Sequence, residues 1–454
     1  MSYQNLNDKI YEMKDEILNG IKESIQIPSV KGAPEEGAPY GREPKRALEH
    51  ALKLGEELGF KVKNVDDKAG WVEFGEGEEL VGILGHLDVV PVGEEGWDYP
   101  AFSGEVHDGV MYGRGVLDDK GPTIGAIYAL KEIRDLGIPL KRRIRVIFGT
   151  DEENGSSCVQ HYVESGEEIP TIGFTPDADF PLIFFEKGMT VMIAGSKKAE
   201  QGAVKVLEFK GGAAPNIVME KCRLVLEGVH AVPEQEGVKV SVVDGNTVVE
   251  AEGVGAHGSK PELGVNAAVL LFKAVKDLEI GGSFQKVRDF ILAQIGTETN
   301  GKTLGICYQD DETGETTVNL GLIGYKEDSL FFTLDIRYPK NGKADEVYAN
   351  LERALTESGL DVLQHSTVEP LYMPKDSELV QKLMKVYKEL TGRDDEPLAI
   401  GGGTYAKMLP NTVAFGPVFP GTPDVIHQPN ERVLVEELIQ SIQLTADAMV
   451  ELAQ

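Results

Sequence analysis

Five short segments carry side chains of the types that bind a metal ion and activate water. Gly85-His86-Leu87-Asp88 ends an apolar run. A histidine near an acid is by itself more often an ordinary surface pair, so it needs partners to mean more. Asp118-Asp119 follows the glycine-rich Tyr112-Gly113-Arg114-Gly115 and precedes a helical pattern, where acids can also simply complement the helix dipole. Asp151-Glu152-Glu153 stands just beyond a β-branched run, and three adjacent acids cost stability unless a cation compensates them. Asp177-Ala178-Asp179 ends another apolar run, and His427 lies far along the chain in residues 424–431. Two imidazoles with several carboxylates make the donor mix of a Zn²⁺ or Mn²⁺ site. A single ion needs fewer acids. Two ions about 3.5–4 Å apart share a carboxylate and a water, which accounts for five ligands and a separate base.

The elements that must position these residues are legible from periodicity. Ile10, Met13, Ile17, Ile21 and Ile25 keep helical spacing, as do Ala47, Leu48, Ala51, Leu52 and Leu58, with a Gly- and Pro-rich loop expected over residues 28–46. Residues 71–74, 80–85 and 143–149 read as strands, and Ile124, Ile127, Leu130 and Ile133 form a helical stripe between the last two. Strand, helix and strand in that order imply an α/β unit with a mixed, mostly parallel sheet flanked by helices. Residues 188–371 change style, mixing alternating runs such as 238–243, 247–252 and 330–336 with a helix near 266–278. They read as an inserted α+β domain, a lid, between catalytic segments 1–187 and 372–454. The last segment returns to amphipathic helices, at 378–390 and 435–452, around a Gly-rich strand and turn at 398–410.

Composition narrows the function classes. The chain has 454 residues, with 45 Lys and Arg against 75 Asp and Glu, a net charge of −30. No basic stripe offers itself to nucleic acid. Cys158, Cys222 and Cys307 are scattered and read as small buried hydrophobes, not as a disulfide or zinc framework. The first residues hold no apolar core of a signal peptide, and no apolar run reaches the roughly 18 residues of a membrane span. A cytoplasmic protein without membrane or nucleic-acid partners is expected.

The motifs together resemble the co-catalytic metallopeptidases that include aminoacylases, carboxypeptidase G, carnosinase and especially the bacterial PepV-like dipeptidases. The resemblance spans nearly the whole chain. It rests on His-Leu-Asp-Val-Val-Pro at 86–91, Gly-Arg-Gly-x-x-Asp-Asp-Lys-Gly at 113–121, Asp-Glu-Glu-x-Gly-Ser at 151–156 and Glu-Lys-Gly at 186–188, in the family's order and spacing. It implies one metal held by His86 and Asp177, a second by Glu153 and His427, and Asp118 bridging both. Asp179 is the alternative to Asp177. Asp88 is expected to fix the orientation and tautomer of His86, and Glu152 to act as general base for a metal-bridged hydroxide. A cis peptide between Asp118 and Asp119 is also implied.

By the same resemblance His257, in Gly255-Ala256-His257-Gly258, is the lid histidine that stabilises the oxyanion, with Asn216 as a second donor. Arg337 resembles the carboxylate-binding arginine, and Gly402, Gly403 and Thr404 can add backbone N–H groups. A phosphate loop is the rival reading of these glycines, but no Gly-Lys-Ser/Thr follows them. The expected activity is hydrolysis of dipeptides by a monomer carrying two divalent ions, Zn²⁺ foremost, with Mn²⁺ or Co²⁺ as alternatives. Deacylation of N-acyl amino acids or tripeptide cleavage competes with it, and a silent metal- or peptide-binding protein would have no use for Glu152. His50, His107, His161, His230 and His365 read as surface or core histidines.

Overall fold

The computed structural model describes residues 3–93 and 95–454, and these form two compact units. The first takes the chain up to Phe184, then Met373–Leu398 and Gly403–Gln454. Its sheet runs, in spatial order, Lys61–Val65, Ala69–Phe74, Arg143–Gly149, Leu80–His86, Ile172–Thr175, Thr412–Ala414 and Ile183–Glu186. The central pairs are parallel: Leu80–His86 pairs with both Arg143–Gly149 and Ile172–Thr175, which in turn pairs with Thr412–Ala414. The outer pairs are antiparallel. Every residue of Leu80–His86 is buried, as expected of a parallel strand covered on both faces. The fold is thus the mixed α/β class, with parallel pairing concentrated where the sheet carries the candidate site.

Helix Lys120–Asp135 is buried on nearly all sides and packs against Lys14–Ile25 and Val435–Ala453. The first apolar stripe breaks at Met13, giving Gln4–Glu12 and Lys14–Ile25 instead of one helix. The loop expected over residues 28–46 ends earlier, because Arg42–Glu57 already starts before Pro44. Proline is compatible with a first helical turn, where its missing N–H has no acceptor to lose. Of the cysteines, Cys158 and Cys222 are buried but Cys307 is exposed, since it lies in a loop. No helix among the described residues is long and apolar enough to cross a membrane.

The contact between Gln4–Glu12 and Val435–Ala453 holds a buried polar pair. Asn7 donates from Nδ2 to Asp447 Oδ2 at 3.0 Å, while Oδ1 of each residue has no partner. Burial pushes the Asp447 carboxyl up to about 7, against the pull of the Asn7 hydrogen bond. A raised acid contributes stability at low pH that is lost as pH rises through its folded value. Asp447→Asn is therefore expected to leave the melting temperature nearly unchanged near pH ~3.5, below the unfolded value, and to raise it by about 2–4 °C or more at pH 8, a shift of at least roughly 1 kcal/mol. Equal shifts at both pH values would refute the titration.

The second unit comprises Phe185–Tyr372 and Ala399–Gly402. Its eight-stranded sheet has the order Val238–Val243, Asn246–Glu252, Lys221–Leu226, Val206–Gly211, Thr317–Lys326, Ser329–Tyr338, Gly188–Ser196 and Asp361–Val368. All neighbours are antiparallel. Helices Ala267–Ala274, Gly282–Phe290 and Ala344–Glu357 share one continuous apolar core with it. Phe209, from the sheet, meets Phe272 and Phe284, from two helices, with ring centroids 5.0–5.7 Å apart. Aromatic contacts of this kind contribute beyond the area they bury.

Candidate metal centre

Three parallel strands of the first unit end at the same edge of the sheet, the edge where α/β sheets carry ligand groups. His86 is the last residue of Leu80–His86, Asp151-Glu152-Glu153 follows soon after Arg143–Gly149, and Asp177 follows Ile172–Thr175. Asp118 precedes helix Lys120–Asp135, and the Asp118–Asp119 peptide is cis. His427 stands in a loop with φ of 61°, a left-handed conformation uncommon outside glycine. At Gly85 a Cβ would lie 2.0 Å from Thr123 Oγ1 and 2.7 Å from Asp119 Oδ2, so only glycine lets that carboxylate reach the strand end.

The side chains converge on Asp118. His86 Nε2 lies 2.8 Å from Asp118 Oδ1, and His427 Nε2 lies 2.8 Å from Asp118 Oδ2. Asp177 Oδ2 is 3.6 Å from His86 Nε2, and Glu153 Oε1 is 3.0 Å from His427 Nε2. His86, Asp118 and Glu153 each offer a ligand atom within 4.8 Å of the others. One carboxylate thus presents each of its oxygens to a different imidazole, and each imidazole has a further acid beside it. Asp179, exposed on the short strand Ala178–Asp179, makes no such contact with either imidazole among the described residues.

The electrostatics are those of anions crowded without enough positive charge. Burial, reinforced by the charge of Asp118, pushes the Asp177 carboxyl up to about 7. Burial also pushes Glu152 up to about 8, with His86 opposing and Asp177, Glu153 and Asp118 reinforcing it. Hydrogen bonds to Asp118 and Glu153 lift His427 to about 10. Burial disfavours charge on His86, yet Asp177 and Asp118 outweigh it and hold this imidazole well above its ordinary value. The same imidazoles overcome burial to keep Asp118 far below the usual carboxylate range. The histidines therefore take up protons where cations would sit, as expected of a donor set built for divalent ions.

The carboxylate of Asp88 does something other than the expected grip on the His86 ring. His86 Nδ1 lies 3.0 Å from the Asp88 carbonyl oxygen, while Asp88 Oδ1 is 3.6 Å away. Instead Oδ1 and Oδ2 of Asp88 accept the backbone N–H groups of Glu152 (3.0 Å) and Glu153 (3.1 Å). The backbone carbonyl orients the ring, and the side chain holds the acidic turn.

Two further acids, to which the motifs assign no role, support the site. Asp119 Oδ2 accepts from His86 N at 3.0 Å and from Thr123 Oγ1 at 2.8 Å. Glu431, fully buried, takes Arg114 Nη1 at 2.6 Å and the N–H groups of Gly115, Leu117 and Asp118 at 3.0–3.3 Å. It ties the loop that carries Asp118 to the segment that carries His427. The sequence signals were present, as Arg114 inside the Gly-Arg-Gly turn and an acid four residues after His427.

Within the second unit His257, Asn216 and Arg337 form their own cluster. His257 pairs in a bridge with Ile217, and Gly258 N donates to the Asn216 carbonyl at 2.7 Å. His257 Nδ1 lies 2.7 Å from Ser259 Oγ and accepts the Ser259 N–H at 3.3 Å, which places the proton of the neutral ring on Nε2. Burial and the nearby Arg337 charge lower its pKa and favour that neutral form. Arg337 is not held open: Nε and Nη2 donate to Asp335, and Nη1 donates to the Gly401 carbonyl at 2.8 Å. Of the glycine segment, Gly402 belongs to the second unit and Gly403 and Thr404 to the first, where Thr404 Oγ1 caps Tyr405–Met408.

Residues 82–451 match the model of peptidase family M20/M25/M40. The chain is 35% identical over 464 residues to a putative dipeptidase, YtjP, of Bacillus subtilis, covering 98% of this chain and 99% of the relative. It is 33% identical to a putative dipeptidase of Staphylococcus haemolyticus, covering 97% and 98%. Among solved structures, human carnosine dipeptidase 1 matches with a TM-score of 0.60 at 16% identity, over 100% of this chain and 99% of that one. The aminoacylhistidine dipeptidase of Vibrio alginolyticus gives 0.60 at 16%, over 96% of each. At such identities the structural likeness speaks for the fold.

Proposed function

The chain belongs to peptidase family M20/M25/M40, and on that premise we propose that it hydrolyses dipeptides with two divalent metal ions, Zn²⁺ foremost. The observation that carries this reading is the pair of imidazole Nε2 atoms facing the two oxygens of Asp118. The donors fit the group: His86 and Asp177 would hold one ion, His427 and Glu153 the other, and Asp118 both. Nitrogen and carboxylate ligands in this mixture suit Zn²⁺, with Mn²⁺ and Co²⁺ accepted by the same chemistry. When bound, such ions polarise a carbonyl oxygen and acidify water.

The residues supply the proton traffic. Glu152 accepts a proton from the attacking water, and its acid form delivers that proton to the amide nitrogen as the C–N bond breaks. A half-buried carboxyl beside the reacting water suits both halves of this task. Asp88 keeps Glu152 and Glu153 at a fixed spacing through their backbone N–H groups. By the family resemblance His257, through Nε2–H, and Asn216 are the donors to the developing oxyanion, and residues 188–371 are the lid domain that carries them. Arg337 takes the terminal carboxylate with two of its N–H groups still uncommitted, and Gly402, Gly403 and Thr404 add backbone donors. The reading includes a cytoplasmic monomer acting on peptides, and the net charge of −30 supports the exclusion of nucleic acid.

The test is a dipeptide assay on metal-stripped protein. Hydrolysis should vanish on stripping and return with Zn²⁺, Mn²⁺ or Co²⁺ added singly, and a dipeptide should turn over faster than its N-acetyl form. Faster turnover of the N-acetyl form would replace dipeptidase by acylase. Because both imidazoles must lose a proton to ligate, ion uptake should release protons, and affinity should rise with pH between 6 and about 10. Calorimetry in buffers of different ionisation enthalpy measures that release.

A further inference from the structure

Beside the metal centre the first unit holds a cavity of about 600 Å³, a size typical of small-molecule sites. Its lining adjoins the centre at three places, since Leu117 precedes Asp118, Ile426 precedes His427, and Asp179 lies two residues beyond Asp177. The walls are largely apolar, with the Phe180 and Phe419 rings tilted against each other at 4.7 Å between centroids and Leu398 and Val418 beside them. At its rim stand the solvent-exposed Asp179, Glu396 and Asp424 and the half-buried Asp395, and no Lys, Arg or His lines the cavity. Asp395 is paired with Arg393 at 2.6 Å. Asp179, Glu396 and Asp424 have no cationic partner among the described residues.

We propose that this cavity receives the side chain of a lysine or arginine residue of the substrate, so that the protein prefers dipeptides containing a basic residue. The proposal rests on the dipeptidase reading. Lys and Arg combine an apolar stem with a charged end, and the cavity offers rings for the stem and uncompensated carboxylates for the end. A neutral apolar side chain would fill the rings' space and make nothing of those acids. A bound cation such as Ca²⁺ requires six to eight oxygens around one point, and among the described residues the acids of this lining do not converge closely enough to form such a set. The α-ammonium group of a dipeptide sits two bonds from the scissile carbonyl, too close to the centre to fill a space of this volume. The excess of 75 acids over 45 basic residues further favours encounter with cationic peptides.

The experiment compares kcat/KM for Lys-Ala and Ala-Lys with their norleucine counterparts, which keep the stem and lack the charge, on the metal-loaded wild type and on the Asp424→Asn/Glu396→Gln double variant. At one of the two positions the wild type should prefer lysine by about tenfold, the worth of one hydrogen bond to a charged group. In the double variant that ratio should fall towards one, and in the wild type it should shrink with added salt. Norleucyl peptide turnover and the melting temperature report whether the variant is folded. A lysine-to-norleucine ratio near one at both positions, or a ratio that survives in a folded double variant, overturns the proposal while leaving the dipeptidase reading intact. Failure to hydrolyse any dipeptide overturns both.

Discussion

Glu152→Gln is expected to lower kcat for dipeptides by about 10²–10⁴-fold, the usual contribution of a positioned general base, while metal content and KM change little. The amide keeps the size of the side chain and cannot accept a proton. Its backbone N–H still donates to Asp88 Oδ1, so the turn should keep its place. Glu153→Gln should give the opposite order: metal loss first, then loss of rate as its consequence, because Glu153 faces His427 at 3.0 Å. Metal analysis beside steady-state kinetics separates the two. If Glu152→Gln instead loses an ion and recovers its rate in excess metal, Glu152 is a ligand and the base lies elsewhere.

The second large effect is expected at Glu431, which touches neither substrate nor ion in the proposed reaction. Glu431→Ala leaves the buried Arg114 guanidinium and three loop N–H groups without their acceptor. Removing one partner of a buried pair costs about 3–5 kcal/mol. The variant should melt well below wild type and bind metal more weakly, since the Asp118 loop loses its anchor. Glu431→Gln keeps an acceptor oxygen and should recover part of the loss. Pairing Glu431→Gln with Arg114→Met removes the stranded cation and should melt above Glu431→Ala. A Glu431→Ala protein with wild-type melting temperature and metal content would show that the network is decoration.

The chemistry-bearing residues were legible because they stand at strand ends, where apolar run and polar turn meet abruptly: His86 after 80–85 and Asp151 after 143–149. Helices and strands followed from periodicity wherever one face alone is buried. The break at Met13 was not legible, because both halves keep the apolar spacing and the change lies in the backbone. Asp88 looked like a partner for the imidazole because it is near in sequence. Which oxygen reaches which donor depends on the turn sixty residues away. Asp119 and Glu431 act largely on backbone N–H groups, and those contacts leave no requirement on the partner's side-chain type to read, although Arg114 is a side-chain partner of Glu431. Arg337 lies on Ser329–Tyr338 two residues from Asp335, hence on the same face of the strand, and this spacing of two did hold a readable clue to its pairing.

The placement of Thr412–Ala414 between Ile172–Thr175 and Ile183–Glu186 has a consequence for the order of biosynthesis. The central sheet stays open on the ribosome until Thr412–Ala414, the last of its strands in the chain, emerges, long after both of that strand's neighbours. His427 follows that strand within the same late stretch. The nascent chain therefore carries His86, Asp118, Glu153 and Asp177 through the whole translation of the second unit, and gains His427 only near the end. At about 5–20 residues per second, this keeps the cluster without His427 for many seconds. Ribosome-bound chains halted before residue 412 should expose the unfilled edge to proteases, whereas released full-length chains should resist them.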